Sequence, residues 1–75
     1  MTLNELQPGN RGKIISIRED SLTLKLLEMG FIPGEIVGIE HRTWDSDPIA
    51  VRISGYLIGL RREEAALIEV ESISA

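Results

Sequence analysis

Hydrophobic residues recur along this chain with two periods, and each change of period marks a boundary between elements. Ile15 and Ile17 alternate with polar neighbours, with Lys13 at the edge of their face, while Ile14 and Ser16 take the other face. A period of two predicts a first strand over residues 12–18 with Ile15 and Ile17 inward. The period then lengthens. Leu22, Leu26 and Met29 stand at i, i+4 and i+7, a buried helical stripe that Leu27 widens and Leu24 lies outside. Asp20 or Ser21 is its N-cap by residue type. Alternation returns with Val37, Ile39 and His41 in a strand over 35–43, then with Ile49, Val51 and Ile53, then with Tyr56, Ile58 and Leu60. Ile68 and Val70 share a face in a closing strand over 67–71. Leu3 and Leu6, three apart, predict a short N-terminal turn packed against the body.

The residues between these runs are turn formers. Gly30 follows Met29 where a helix ends in a left-handed residue, a conformation glycine adopts without strain. Pro33-Gly34 suits the centre of a type II turn, since proline presets the first φ and glycine accepts the positive second one. Ser54-Gly55 separates two alternating runs and predicts a two-residue hairpin. Tyr56 is expected to bury its ring and hold its hydroxyl near a polar partner at the barrel end. Trp44-Asp45-Ser46-Asp47-Pro48 is a polar connection with one large aromatic, and residues 61–66 form about one helical turn. The fold class is therefore mainly β: a small barrel of about five strands with one inserted helix and a short helical turn, residues 1–75 forming a single domain.

Composition narrows the function. The chain has 75 residues and no cysteine, so neither a disulfide nor a thiolate metal site supports its core. The net charge of −4 disfavours nucleic acid, whose binders present a basic face. No apolar run approaches the ~18 residues of a membrane span. The N-terminal residues lack the basic region and apolar core of a secretory signal. A cytoplasmic location is expected, with membrane association only through a partner.

Candidate chemistry is sparse. His41, Asp45 and Asp47 are the one metal-like set, with imidazole and carboxylate donors that ferrous iron accepts. Their spacing matches no compact chelating motif, so at most weak binding of ferrous iron or another divalent metal is expected, and no resident cofactor. The serines lack a second histidine or an arranged base, and Glu63-Glu64 and Glu19-Asp20 read as solvated caps. No phosphate-binding glycine loop is present. An enzyme is not predicted. The apolar residues outside the inward sets, Ile14, Leu24, Ile36, Trp44 and Leu57, are in part covered by the helix or the N-terminal turn, or else form a surface for a partner or for self-association. Arg61 and Arg62 are candidates for an acidic partner.

In order along the chain, Leu3-x-Glu5-Leu6, the run Leu26 to Gly34 (LLEMGFIPG), Asp47-Pro48, Gly55-Tyr56, Leu60-Arg61 and Glu64-Ala65 resemble the FeoA family from Thr2 to about Glu71. That resemblance implies an SH3-like barrel. It also implies a small bacterial cytoplasmic accessory of FeoB, a membrane ferrous-iron transporter, bound and modulated through its cytosolic region. The same domain type resembles the C-terminal module of DtxR-type repressors, which makes a metal-sensing or ligand-sensing module the alternative. Leu24 and Leu57 stand where the family often has polar or basic residues, and Trp44 where it is often aliphatic or small. Replacing Trp44 with alanine is expected to weaken partner binding while unfolding free energy, measured in urea, moves by less than about 1 kcal/mol. A large loss of both would make Trp44 a core residue.

Overall fold

The computed structural model of the chain describes residues 1–41 and 47–73. After a 3₁₀ turn at Leu3–Glu5 the elements are β1 (Arg11–Ile17), α1 (Thr23–Glu28), β2 (Ile36–His41), β3 (Ile49–Ile53), β4 (Tyr56–Leu60), α2 (Arg62–Ala65) and β5 (Ile68–Ile73). The strands form one antiparallel sheet in the order β4-β3-β2-β1-β5. β4 and β5 are its two edges and do not hydrogen-bond to each other, so the expected barrel is not closed.

The turns form where glycine and proline place them. Gly30 has φ +104° and ends α1 in a Schellman motif: Gly30 N–H donates to Leu27 C=O at 3.0 Å and Phe31 N–H to Leu26 C=O at 3.1 Å. The side chains of Leu26 and Phe31, at the two ends of that 6→1 bond, are both wholly buried. Pro33-Gly34 is a type II turn, with Gly34 at φ +99° and Glu35 N–H bonded to Ile32 C=O at 3.0 Å. Ser54 and Gly55, at φ +50° and +80°, make the type I′ turn of the β3–β4 hairpin.

α1 is shorter than its stripe implied. A tight turn precedes it, in which the Asp20 carboxylate accepts the Leu22 N–H at 3.0 Å and the Asp20 N–H donates to Thr23 Oγ1 at 2.8 Å. Thr23 Oγ1 in turn donates to Arg18 C=O at 2.7 Å. Six helical residues present one side chain squarely to the sheet, and that is Leu26, with Leu22 and Met29 half-buried. Leu27, one position and about 100° round the helix, stays exposed rather than widening the buried stripe.

In β1 the core face is opposite to that expected. Ile14 is buried and Ile15 is exposed. The β1–β5 register steps from Ile14↔Val70 to Ser16↔Glu69, so Ile15 is an extra residue, a β-bulge. The bulge switches parity within one strand: Gly12 and Ile14 point inward before it and Ile17 after it. A second register shift, between Ile39 and His41 on β2, leaves Glu40 as the extra residue against β3.

The interior is aliphatic around a single phenylalanine: Ile14, Leu26, Phe31, Val37, Ile49, Val51, Leu60, Ile68 and Val70 meet there. Leu3 and Leu6, from the N-terminal 3₁₀ turn, are also fully buried, and that turn packs against α2 and β5. Tyr56 departs from expectation. It shares the inner face with its ladder partner Ile53, yet at the tip of the hairpin it is 71% exposed. Gly30→Ala places a Cβ in open space, so its effect is purely conformational. It is expected to destabilise the fold by about 1–2 kcal/mol in urea unfolding, and an unchanged midpoint would mean the α1 terminus relaxes freely.

Candidate functional site

The charged residues of greatest structural consequence lie around the start of α2. Arg61 is still extended, and its N–H donates to Glu64 Oε1 at 2.9 Å while its carbonyl accepts the Glu64 N–H at 3.0 Å. The next N–H, that of Arg62, donates to Asp47 Oδ1 at 3.1 Å. Two carboxylates thus satisfy successive amides at one helix end, where amides have no intrahelical partner. Glu64 Oε2 also accepts Lys25 Nζ at 2.8 Å, tying α2 to α1.

Glu64 was expected to be a solvated cap, yet it is 5% exposed. The Lys25 ammonium, then the Arg61 N–H, hold its carboxyl below the usual carboxylate range, against the upward push of burial. Glu64 stands three residues after Arg61, the position from which a carboxylate reaches back to the amide at a helix start. No local signal pointed to Lys25, which is 39 positions away.

Of the metal-like set His41, Asp45 and Asp47, the described residues place only the backbone of His41 and the whole of Asp47. Asp45 lies outside them, as does Trp44. His41 is the last residue of β2, opposite Ala50. Asp47 is exposed, with one carboxylate oxygen on the Arg62 amide. No group of three or more His, Cys, Asp or Glu side chains is arranged to hold a metal among the described residues.

The predicted partner residues occupy separate elements. Leu24 is 66% exposed on α1, and Leu57 is 54% exposed on the outer face of β4. Arg61 and Arg62 are exposed where β4 gives way to α2. Ile32 and Ile36, at 49% and 39% exposed, extend the apolar surface through the α1–β2 turn. Ile32 lies inside a turn-forming run, where neither alternation nor helical spacing marks a surface position. Ile14, placed with the surface group from its parity, belongs to the core instead.

A groove of about 320 Å³ crosses the outer face of the sheet. Its floor is Gly38, paired with Arg11 on one side and Arg52 on the other. A Cβ at Gly38 would meet Arg11 Cγ at 3.6 Å, so glycine keeps the floor open. Arg52 lies along the rim, its Nε 2.9 Å from Glu40 Oε2. An exposed pair of this kind contributes little stability and leaves the groove lining of mixed charge.

A five-stranded antiparallel sheet with one helix inserted after β1 and a short one before β5 defines a small SH3-like domain. The model of the FeoA domain matches residues 1–72, and the chain belongs to the FeoA family, small accessory proteins linked to ferrous-iron transport. It is 40% identical over 76 residues to a fusion of Fe(2+) transport protein A with the Fe(2+) transporter FeoB from Porphyromonas gingivalis. That match covers 100% of this chain and 9% of the fusion protein, so the chain spans less than a tenth of that relative. An FeoA-like protein from Clostridium acetobutylicum superposes with TM-score 0.90 at 36% identity, over 100% of this chain and 88% of that one. FeoA from Stenotrophomonas maltophilia complexed with zinc, described as a prokaryotic SH3 domain protein, superposes with TM-score 0.85 at 28% identity, over 95% and 89% of the two chains. A manganese-dependent transcriptional repressor, at 20% identity and TM-score 0.83 over 97% of this chain and 41% of its own, shares the fold alone.

The lowered Glu64 pKa sets the sign of a pH effect. A carboxyl whose folded pKa lies below its unfolded value of about 4.3 stabilises the fold fully above that value. The stabilisation is lost as pH falls through the folded pKa. Glu64→Gln is therefore expected to lose about 1–3 kcal/mol at neutral pH. The gap to the parent chain should close in urea titrations carried below the carboxylate range. A gap that persists unchanged in acid would assign Glu64 a packing role instead.

Proposed function

We propose that this chain is a non-catalytic adaptor of ferrous-iron uptake that docks on the cytosolic region of FeoB and modulates it by protein contact. Residues 1–75 act as one binding domain, held at the cytoplasmic face of the membrane through that partner. The observation that carries this reading is the Porphyromonas gingivalis fusion, in which a segment 40% identical to this chain shares one polypeptide with FeoB. A covalent link holds two modules at an effective concentration of order millimolar, an arrangement that serves modules acting on each other.

Exposed apolar side chains support a contact mechanism. Leu24 presents most of its surface from a helix whose opposite side is anchored by Leu26. A leucine so placed gains apolar burial when a partner covers it, with little change to its own backbone. We assign docking to Leu24, Trp44 and Leu57, with Arg61 and Arg62 meeting acidic groups of the partner. Among the described residues no helix is long and apolar enough to cross a membrane. The metal-sensing alternative draws on the repressor likeness, which extends to fold only.

Quantitative binding of this chain to the cytosolic region of its FeoB, with and without a GTP analogue, tests the proposal. Saturable binding of micromolar strength is expected, weakened at least about tenfold by Leu24→Asp with an unchanged melting temperature. The absence of binding in every nucleotide state would sink the adaptor reading.

A further inference from the structure

The two edges of the sheet are treated differently. The outer side of β5 is covered: Thr2 bridges to Glu69, and Val70 N–H donates to Met1 C=O at 2.8 Å. β5 also carries Glu69 and Glu71, charges of the kind that keep an edge solitary. Nothing among the described residues pairs with the outer side of β4. Its sequence, Tyr56-Leu57-Ile58-Gly59-Leu60, contains no charge and no proline. A strand edge without charge, proline or bulge is a template for another strand.

The hairpin determines which groups that edge offers. In a two-residue type I′ hairpin the pair flanking the turn, Ile53↔Tyr56, exchanges both backbone hydrogen bonds. Alternation then directs the amides and carbonyls of Tyr56, Ile58 and Leu60 toward β3. Those of Leu57 and Gly59 point out of the sheet.

We infer that the β4 edge pairs antiparallel with β4 of a second copy of this chain, about a two-fold axis through Ile58. In that register Leu57 of each copy meets Gly59 of the other. All four outward donors and acceptors are then satisfied reciprocally, as a two-fold interface requires. The side chains fit as well as the backbones. Leu57 lies on the outer face beside a residue without a side chain, where Pro48 already covers Gly59: a Cβ there would meet the proline ring at 3.4 Å. Leu57 of one copy therefore packs on Pro48 of the other. The ends of the strand are complementary in charge. Arg61, extended beyond β4, comes opposite Gly55 of the second copy, beside the Glu35 carboxylate that accepts the Ser54 hydroxyl at 3.4 Å. The contact is small and predicts a weak dimer, dissociating at about 0.1 mM.

Sedimentation of the full chain from about 10 µM to 1 mM, with amide hydrogen exchange at both ends of that range, tests the pairing. A monomer–dimer equilibrium is expected. The Leu57 and Gly59 amides should exchange rapidly when dilute and slow at least about tenfold when concentrated, while those of Tyr56, Ile58 and Leu60 stay protected throughout. Leu57→Lys puts a charge on the edge of each copy and should weaken the dimer at least about tenfold without lowering the melting temperature. A chain that remains monomeric at 1 mM, or a dimer in which Leu57 and Gly59 amides stay unprotected, overturns the inference. Leu57 and Arg61 are shared with the surface assigned to FeoB, so FeoB binding is measured separately through Leu24→Asp, which leaves the β4 edge intact.

Discussion

The chain leaves β1, runs through a helix and must return as β2 hydrogen-bonded to the strand it left. The reversal at Gly30 makes this return possible. A left-handed residue after α1 brings Phe31 back over Leu26, and the 6→1 hydrogen bond and the burial of both side chains arise from the same turn of the backbone. Pro33-Gly34 then points the chain along β1, where Gly34 N–H reaches Ile14 C=O at 2.8 Å and Ile14 N–H reaches Glu35 C=O at 2.9 Å. Everything downstream is hung on β2: β3 pairs with it, β4 with β3. A helix of six residues has little stability of its own, since nucleation is costly and few bonds repay it. It persists because Leu26 is held in the core and its C-terminus is capped.

Glu64 makes the second constraint. A buried carboxylate is strongly disfavoured unless its oxygens are bonded. Here one oxygen takes the Arg61 amide and the other the Lys25 ammonium. The consequence is geometric. α2 is only four residues long, yet it starts at a defined point and faces a defined side of α1. Asp47 adds to this from the β3 side, so the segments before β3 and after β4 converge on the same helix end.

With those contacts inside, the large apolar side chains exposed among the described residues include, besides Met1 and Ile15, Leu24 and Leu27 on α1, Ile32 and Ile36 around the type II turn, and Tyr56 and Leu57 at the hairpin. A chain this small exposes some apolar surface of necessity. What distinguishes some of these positions is their footing. Leu24 and Leu57 stand on elements whose other side is buried, so a partner meets a surface already ordered and little conformational entropy is lost on binding. A manganese-dependent repressor at 20% identity shares the fold alone, and a shared fold does not carry a shared function.

By itself the sequence determined what is local. Glycine and proline chemistry set the turns at Gly30, Pro33-Gly34 and Ser54-Gly55, and alternation or helical spacing located the strands and α1, because these depend on a residue and its near neighbours. The FeoA resemblance was legible for the same reason: its motifs are turns and caps in a set order. Tertiary structure decided what depends on pairing. Ile15 became a bulge, and Ile14 a core residue, because β5 offers one residue opposite two of β1, and no property of β1 alone specifies that count. Glu64 became buried because Lys25, distant in sequence, arrives beside it. Tyr56 shares the inner face with Ile53 but stands at the hairpin tip and is exposed, a position that alternation along β4 does not reveal. Among the described residues nothing pairs with the outer side of β4, whereas the N-terminal residues cover that of β5.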